Sequence, residues 1–398
     1  MLILEYKVRP NSGQQHGIDE AIRTVQFIRN KCVRLWMDTW GTNDTALQAY
    51  CAQIAQEYPF AARLNSMARQ ASADRAWVAI ARFYQHCREK KPGKKGYPRF
   101  QKDNRSVEYK TSGWKLAPDG KHIVFTDGHG IGTLKLIGTR SIATFPLSQI
   151  KRVRLLKRAD GYYIQFAVQA ERQVDHQPTD HAVGIDVGLK VYYMDSDGRS
   201  VPNPRFHRKA EQKLKRLHRR VSRKKKGSNN RQKARKQLAK GYLKVSRQRK
   251  DFAAKKASAL VTSSDVIAYE HLHIKNLVKN RHLAKSIHDA SWGLFLAWVR
   301  YYGDLHGIAV VAVPAAYTTQ DCSGCGYRVL KSLSVRTHIC PNCGLIMDRD
   351  HNSAVSIRDA GLRTLGHRET DQGSTLVNAS GQTTATRRGR LRSRKSAG

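Results

Sequence analysis

The chain has 398 residues, of which 40% are hydrophobic, so it can form two or three domains with buried cores and is not a disordered protein. It carries 72 Lys and Arg against 31 Asp and Glu, which gives a formal net charge of +41. Such a charge raises self-repulsion unless a polyanion relieves it. Nucleic acid is the first candidate, because each phosphate that Lys or Arg neutralises releases counterions. A ribosomal-type or membrane-surface protein is the alternative from charge alone.

The N-terminal sequence, the longest apolar run and the cysteines indicate the cellular compartment. The start, MLILEYKVRP, has no basic segment followed by a long apolar core, so it does not match a signal peptide. The longest apolar run, 308–317, is too short to span a bilayer and contains Pro314. Cys32, Cys51 and Cys87 are scattered and do not suggest a disulfide framework. We therefore expect a soluble protein without a membrane partner, in a cytoplasmic, nucleoid-accessible compartment of a prokaryote.

The first half of the chain combines strands and helices. Residues 2–9 alternate as a strand, 15–90 have helical periodicity, and the Lys-, Gly- and Pro-rich stretch 90–102 predicts a linker. Residues 106–170 then contain short strands separated by Gly and Asp. These strands and the first one could close a small barrel, with the helices inserted between strands one and two. The predicted apolar stripe of the first helix is Ile22, Val25, Ile28, Cys32, Leu35 and Trp36.

From residue 181, strands alternate with helices, which is typical of an α/β sheet. Residues 205–256 interrupt this pattern with 23 Lys or Arg and only two acids, Glu211 and Asp251. A solvated helix would mix the two signs of charge, so we interpret this stretch as a basic helical hairpin that contacts phosphates. The candidate nucleic-acid-binding residues are Lys213, Arg216, Arg220, Lys224, Arg231 and Arg235.

Near the C-terminus, two Cys-x-x-Cys knuckles have the spacing of a four-cysteine structural zinc site. Four thiolates would fill a tetrahedral shell and leave no position for water, so this zinc should be structural rather than catalytic. An iron–sulfur cluster is the competing interpretation. The predicted ligands are Cys322, Cys325, Cys340 and Cys343.

Three acids stand at the edges of the predicted α/β elements. Asp186 lies in VGIDVG, Glu270 ends the apolar strand VIAYE, and Asp350 opens the last helix. An acid at the end of a buried strand is costly unless it is paired or binds a metal. Such oxygen ligands bind Mg²⁺, and two such ions can clamp both oxygens in phosphodiester hydrolysis. Ion pairing with nearby Lys and Arg is the alternative, and Asp348 competes with Asp350 for the third place.

The order of several motifs resembles TnpB, a family of transposon-encoded RNA-guided nucleases related to type V CRISPR effectors. These motifs are GIDVGLK, YEHLHIKNLVKN, SWGLFLAWVRYYGDLHG and CPNCGLIMDRDHNSA, with GYPRF at 96–100 as a looser match. The resemblance implies a metal-dependent endonuclease that uses a guide RNA from the transposon end to cut double-stranded DNA beside a short adjacent motif. It implies Mg²⁺ (two ions) at Asp186, Glu270 and Asp350, and it favours Asp350 over Asp348. A structural Zn²⁺ would be held by the four cysteines.

The resemblance also implies an α+β multidomain fold and its boundaries. A β-barrel wedge domain (1–10 and 91–180) would hold an inserted helical recognition domain (11–90). An RNase H-like (RuvC) α/β domain (181–317 and 345–365) would carry the hairpin 205–256 and a zinc-binding, target-strand-loading element (318–344). From composition rather than resemblance, we expect residues 366–398 to form a disordered basic tail, because they are rich in Ser, Thr, Gly and Arg and lack periodicity. We expect a monomer.

Other functions remain open at this point. Some relatives of TnpB have lost catalytic acids and act as RNA-guided repressors, whereas all three acids are present here. The sequence departs from the common pattern at TTQ 318–320 and NSA 352–354. An acid-triad transposase would use similar metal chemistry, and only the order of the motifs weighs against it. A ribosome-associated zinc protein would leave the acids unexplained, and no tyrosine-recombinase arrangement was found.

Overall fold

The computed structural model describes residues 1–332 and 334–371, which form two compact units divided between Glu171 and Arg172. No helix in these two ranges is both long and apolar enough to cross a membrane.

The first unit begins with a strand that is followed directly by four helices. Asn11 caps the first helix: its Oδ1 accepts from the Gln14 backbone N–H, and Gln14 Oε1 accepts from the Asn11 N–H. The predicted apolar stripe is confirmed, because all six of its residues are buried or packed partly against the core. The elements are β1 (Leu2–Val8), α1 (Ser12–Asp38), α2 (Asp44–Glu57), α3 (Pro59–Ala62) and α4 (Ser66–Arg88).

Six further strands complete this unit in two antiparallel sheets. They are β2 (Ser106–Tyr109), β3 (Trp114–Leu116), β4 (His122–Phe125), β5 (Gly132–Lys135), β6 (Ile150–Arg158) and β7 (Gly161–Val168). One sheet has the order β1-β7-β6-β2 and the other β3-β4-β5. Because β1 pairs along its whole length with β7, the helices are inserted between strands one and two, as predicted. An isolated bridge joins Lys7 of β1 to Ile137, two residues after β5 ends, and barrel closure stays a prediction.

The second unit is built around a five-stranded sheet of order β10-β9-β8-β11-β12. The strands are β8 (Ala182–Val187), β9 (Val191–Asp195), β10 (Ser200–Pro202), β11 (Val266–Glu270) and β12 (Ala309–Val313). Strands β8, β11 and β12 run parallel, whereas β9 and β10 are antiparallel to their neighbours. The helices after β10 are α5 (Phe206–Ser222), α6 (Asn229–Thr262), α7 (Ile274–Leu277), α8 (Ala284–Ala290) and α9 (Trp292–His306).

Helices cover both faces of this sheet. Ile267 and Tyr269 of β11 pack with α6 and α9, whereas Ala268 between them packs with the last helix, α10 (Arg349–Asp371). This alternation follows from the two-residue period of a strand. Helix α10 approaches β8 so closely that a Cβ at Gly184 would lie 2.1 Å from the Ala354 carbonyl oxygen. A glycine is therefore required two residues before Asp186.

The basic segment forms the predicted helical hairpin. Its seam is thin: Leu214 is 3% exposed, and a Cβ at Gly241 would lie 3.0 Å from Leu214 Cδ2. Ser228 caps α6, which continues past the predicted boundary at residue 256 to Thr262. At about 1.5 Å per residue this helix is about 50 Å long. Its second half packs in the core beside the sheet, so one continuous helix forms an arm of the hairpin and also covers the sheet.

Two short antiparallel strands, β13 (Thr337–Ile339) and β14 (Ile346–Asp348), lead into α10. Helix α10 continues past residue 366, where the disordered tail was predicted to begin, and ends at Asp371. The rest of that predicted tail lies outside the described residues.

Candidate active site and metal centre

Asp186 and Glu270 lie side by side on neighbouring parallel strands. The register of β8 and β11 pairs Ile185 with Tyr269, so the next residue along each strand is the acid. Both acids therefore stand at the carboxyl ends of their strands, where ligand sites of parallel sheets form. Glu270 is only 8% exposed, and its carboxylate accepts a hydrogen bond from the hydroxyl of the buried Thr318.

The two acids of Asp-Arg-Asp have different tasks. Asp348 is exposed, and its Oδ1 accepts from the backbone N–H groups of Asp350 (2.8 Å) and His351 (3.2 Å). It therefore caps the start of α10. Asp350 is in the first turn of this helix, and its side chain is 15% exposed.

Asp350 lies close enough to the two strand acids for its charge to raise the pKa of Asp186. Burial raises the pKa of Asp186 well above its ordinary value, and the negative charges of Glu270 and Asp350 raise it further. Burial also raises the pKa of Glu270, against the opposing hydrogen bond from Thr318. Mutual repulsion of this kind means that the site favours a cation among its carboxylates.

Two arginines supply positive charge to Asp350 in this structure. Arg349 donates to Asp350 Oδ1 from Nε (3.0 Å) and Nη2 (2.7 Å), and Arg336 Nη1 lies 3.2 Å from Oδ2. Arg349 also donates from Nη1 to the Val335 carbonyl oxygen (3.2 Å). Neither arginine was singled out in the sequence, because their roles depend on how residues 335–336 fold back onto the helix. The sequence signal for Arg349 was its position in the middle of Asp-Arg-Asp.

The four predicted cysteines come together in a cluster that could hold a metal ion. Their Sγ atoms all lie within 4.8 Å of one another, and each of the pairs Cys322–Cys343 and Cys325–Cys340 is 3.6 Å apart. A tetrahedral shell with Zn–S bonds of about 2.3 Å would place sulfurs about 3.8 Å apart, so these thiols fit zinc. A hydrogen bond from the Asn342 side chain lowers the pKa of Cys325 to about 6, which favours the thiolate that a metal requires.

In residues 1–332 and 334–371, these cysteines are the one group of at least three Cys, His, Asp or Glu residues packed this tightly. The three acids are more widely spaced. His338, next to the second knuckle, is fully buried, and its Nδ1 contacts Lys331 Nζ.

The segment with the four cysteines (318–344), here called the zinc element, is hydrogen-bonded to the helix that carries Asp350. Asn352 is fully buried; its Oδ1 accepts from the Ser323 N–H (2.9 Å), and its Nδ2 donates to the Asp321 carbonyl oxygen (2.8 Å). Asn352 therefore connects the first knuckle to a position two residues after Asp350.

The hairpin presents most of the predicted nucleic-acid-binding residues to solvent. Arg231 differs from the others: it is half-buried, and its Nη1 donates to the Lys224 carbonyl oxygen (2.9 Å), which closes the turn between the helices. The exposed members of the set are Lys213, Arg216, Arg220, Lys224 and Arg235.

The chain combines a multidomain α+β fold with a four-cysteine cluster, and its fold is shared with a solved Cas12f1 structure. A Cas12f1 structure described as a "Cas12f1-sgRNA-target DNA complex" matches 85% of this chain and 81% of its own, with a TM-score of 0.53 and 14% identity. At this identity the match shows a shared fold. A family model described as "Probable transposase" matches residues 165–281, and a "Cas12f1-like, TNB domain" model matches residues 292–357.

Two relatives agree with these matches. A protein of Streptomyces pristinaespiralis named "Putative RNA-guided DNA endonuclease" is 36% identical over 186 residues, which span 46% of each chain. The "Putative RNA-guided DNA endonuclease InsQ" of Escherichia coli (strain K12) is 27% identical over 286 residues, 68% of this chain and 69% of that protein. The match to the Streptomyces protein therefore spans about half of that relative's length. With the order of motifs, these findings support a protein of the TnpB family.

Proposed function

We propose that this protein is an RNA-guided, metal-dependent DNA endonuclease of an insertion sequence. The observation that supports the proposal is that Asp186 and Glu270 lie side by side at the carboxyl ends of neighbouring strands, where the charges of Glu270 and Asp350 raise the pKa of Asp186. The mixed sheet, with two antiparallel strands beside three parallel ones, and a final helix that brings the third acid support an RNase H-like (RuvC) domain. The names of the relatives support a guide RNA and DNA as partners, and we propose that the DNA is double-stranded.

The donor chemistry of the site fits Mg²⁺. Carboxylate oxygens are the ligands that Mg²⁺ takes in proteins, and Asp186, Glu270 and Asp350 would hold it. When bound, one or two such ions would stabilise the attacking and leaving oxygens of an in-line phosphodiester hydrolysis. Thr318 keeps the Glu270 carboxylate oriented, and Asp348 keeps the first turn of α10 in place. We propose that cleavage occurs beside a short transposon-adjacent motif.

The first test is the RNA that purifies with the protein. A single defined RNA that ends in a variable segment would support guiding, whereas a heterogeneous mixture would show only general polyanion binding. Cleavage of a DNA matched to the guide is then measured with and without Mg²⁺. Because the ions that these carboxylates would hold would supply several kcal/mol of transition-state stabilisation, Asp186→Ala should lower the cleavage rate by about 10³-fold or more.

Asp348→Asn is the matched control, since it changes a carboxylate that caps the helix and leaves the acid cluster intact. It should retain most activity, because an asparagine also caps helices. If the unaltered protein binds the guide RNA and the target DNA but does not cut the DNA, it is instead an RNA-guided repressor.

A further inference from the structure

A cleft lined by arginines lies in the first unit. Its volume is about 550 Å³. It is formed where the segment after GYPRF crosses α1, α4 and the sheet. Its charged lining consists of Arg29, Arg75, Arg99 and Arg154, with Gln101 and Asn104 beside them.

The walls of this cleft are held rigidly. Asn30 of α1 forms a pair of hydrogen bonds with the backbone of Gln101, at 2.9 Å to its carbonyl oxygen and 2.8 Å from its N–H. Asn104 is fixed in the same way, because its N–H donates to Gln26 Oε1 (2.9 Å) and its Nδ2 donates to the Ile22 carbonyl oxygen (3.0 Å). The segment that carries Arg99 is therefore preorganised on the helix that carries Arg29.

The arginines have too little negative charge around them. Glu108, 3% exposed, pairs with Arg75 (3.4 Å), Arg152 (2.8 Å) and Arg154, so one carboxylate serves three guanidinium groups. Arg29 donates to neutral acceptors, the Arg99 carbonyl oxygen and Asn30 Oδ1. Among the described residues, neither Arg29 nor Arg99 forms an ion pair with a carboxylate. Burial lowers the pKa of both Arg29 and Arg75, which shows that their charge is poorly solvated. A cleft of this kind favours an anion.

We infer that this cleft binds a phosphodiester group of a nucleic-acid strand. Planar guanidinium groups match the oxygens of a phosphate, and the shallow opening suits a group that belongs to a continuous strand. The exposed ring of Phe100, next to Arg99, offers a neighbouring base a surface for stacking. The strand is either RNA or DNA, since both present the same phosphodiester. The inference rests on the nucleic-acid partners of the proposed function but does not require cleavage.

The test measures how salt weakens binding. Fluorescence anisotropy of the full chain with a labelled 20-nucleotide RNA, and with a DNA of the same sequence, is recorded over a range of salt concentrations without Mg²⁺. The variants are Arg99→Ala and Arg29→Gln. Arg34→Ala is the control, because it removes the same charge from α1 at an exposed position outside the cleft, paired with Asp38.

Each cleft variant should reduce the slope of log K against log salt by about 0.7, the value for one lost contact to a single strand. The control should leave the slope unchanged. A reduction with RNA alone or with DNA alone identifies the strand that the cleft holds. An unchanged slope with both probes, or an equal reduction in Arg34→Ala, would overturn the proposal. If Arg29→Gln fails to fold, the exposed Arg99 decides the matter. Because no cleavage is measured, failure of the nuclease proposal cannot be mistaken for failure of this one.

Discussion

Replacing Arg349 by methionine should loosen the zinc element and the third acid together. Arg349 is 9% exposed and contacts both parts of the site: two of its nitrogens bind Asp350, and a third binds the Val335 carbonyl oxygen. Its own backbone N–H donates to the Arg336 carbonyl oxygen (2.7 Å). Methionine keeps the length and the apolar stem but removes every side-chain hydrogen bond.

The size of the effect follows from burial. Removing one partner of a buried ion pair costs about 3–5 kcal/mol, because the other charge is left without compensation. Here Arg336, whose side chain is 45% exposed, stays near Asp350, so we expect the lower end, about 3 kcal/mol. For a unit of this size, 1 kcal/mol corresponds to about 2–4 °C in Tm, so the second unit should melt about 6–12 °C lower. Lysine should not rescue it, because a single ammonium cannot bridge both acceptors.

Thermal unfolding of the zinc-loaded chain, followed by circular dichroism, checks this expectation. Arg358→Met is the control: Arg358 lies on the same helix and pairs with the adjacent Asp359, but about a third of each side chain is exposed. Such a pair contributes about 0–1 kcal/mol, so the control should melt within about 4 °C of the unaltered protein. If Arg349→Met melted within this same range, the inference that Arg349 joins the two parts would be wrong.

Three further outcomes can be measured. Cys340→Ser should lower the zinc content, measured by atomic absorption, and reduce cleavage; full activity without zinc would exclude a supporting role for the metal. Replacing Lys213, Arg216 and Arg220 together by alanine should reduce the salt slope of nucleic-acid binding by about 2–3, because three phosphate contacts are lost. Burial opposes ionisation of Asp265, but hydrogen bonds led by His176 outweigh it and lower its pKa to about 2. A lowered pKa stabilises the fold above the unfolded value, so Asp265→Asn should cost about 1 kcal/mol at pH 7, and the difference should vanish as pH falls from about 4 through 2.

Local patterns in the sequence predicted most of the elements that position the site. The apolar stripe of α1, the ends of β8 and β11 and the cysteine spacing depend on neighbours within a few residues, so periodicity and spacing reveal them. No local pattern predicts strand β3, because it has only three residues and follows Thr-Ser-Gly, which is typical of a turn.

Contacts that form between distant segments could not be predicted in the same way. Composition alone left Asp348 and Asp350 equivalent, and the family resemblance favoured Asp350. The structure adds a physical reason, since Asp348 is used as the helix cap. The hydrogen bond from Thr318 to Glu270 joins residues 48 positions apart, and only the folded sheet brings them together. The sequence gives the type of each of these residues, but their hydrogen-bond partners depend on the tertiary fold.

The contacts around α10 suggest how a closed metal site can matter to a reaction in which it takes no direct part. Four thiolates would leave no open position on a bound metal, so its contribution would come from the geometry of the chain that it holds. That chain meets the helix through Arg349 at the Val335–Arg336 backbone and through Asn352 at the Ser323 N–H and the Asp321 carbonyl oxygen. Arg349 and Asn352 flank Asp350 within two residues. Loss of the zinc should therefore displace this acid first, while Asp186 and Glu270 stay fixed by the register of their strands.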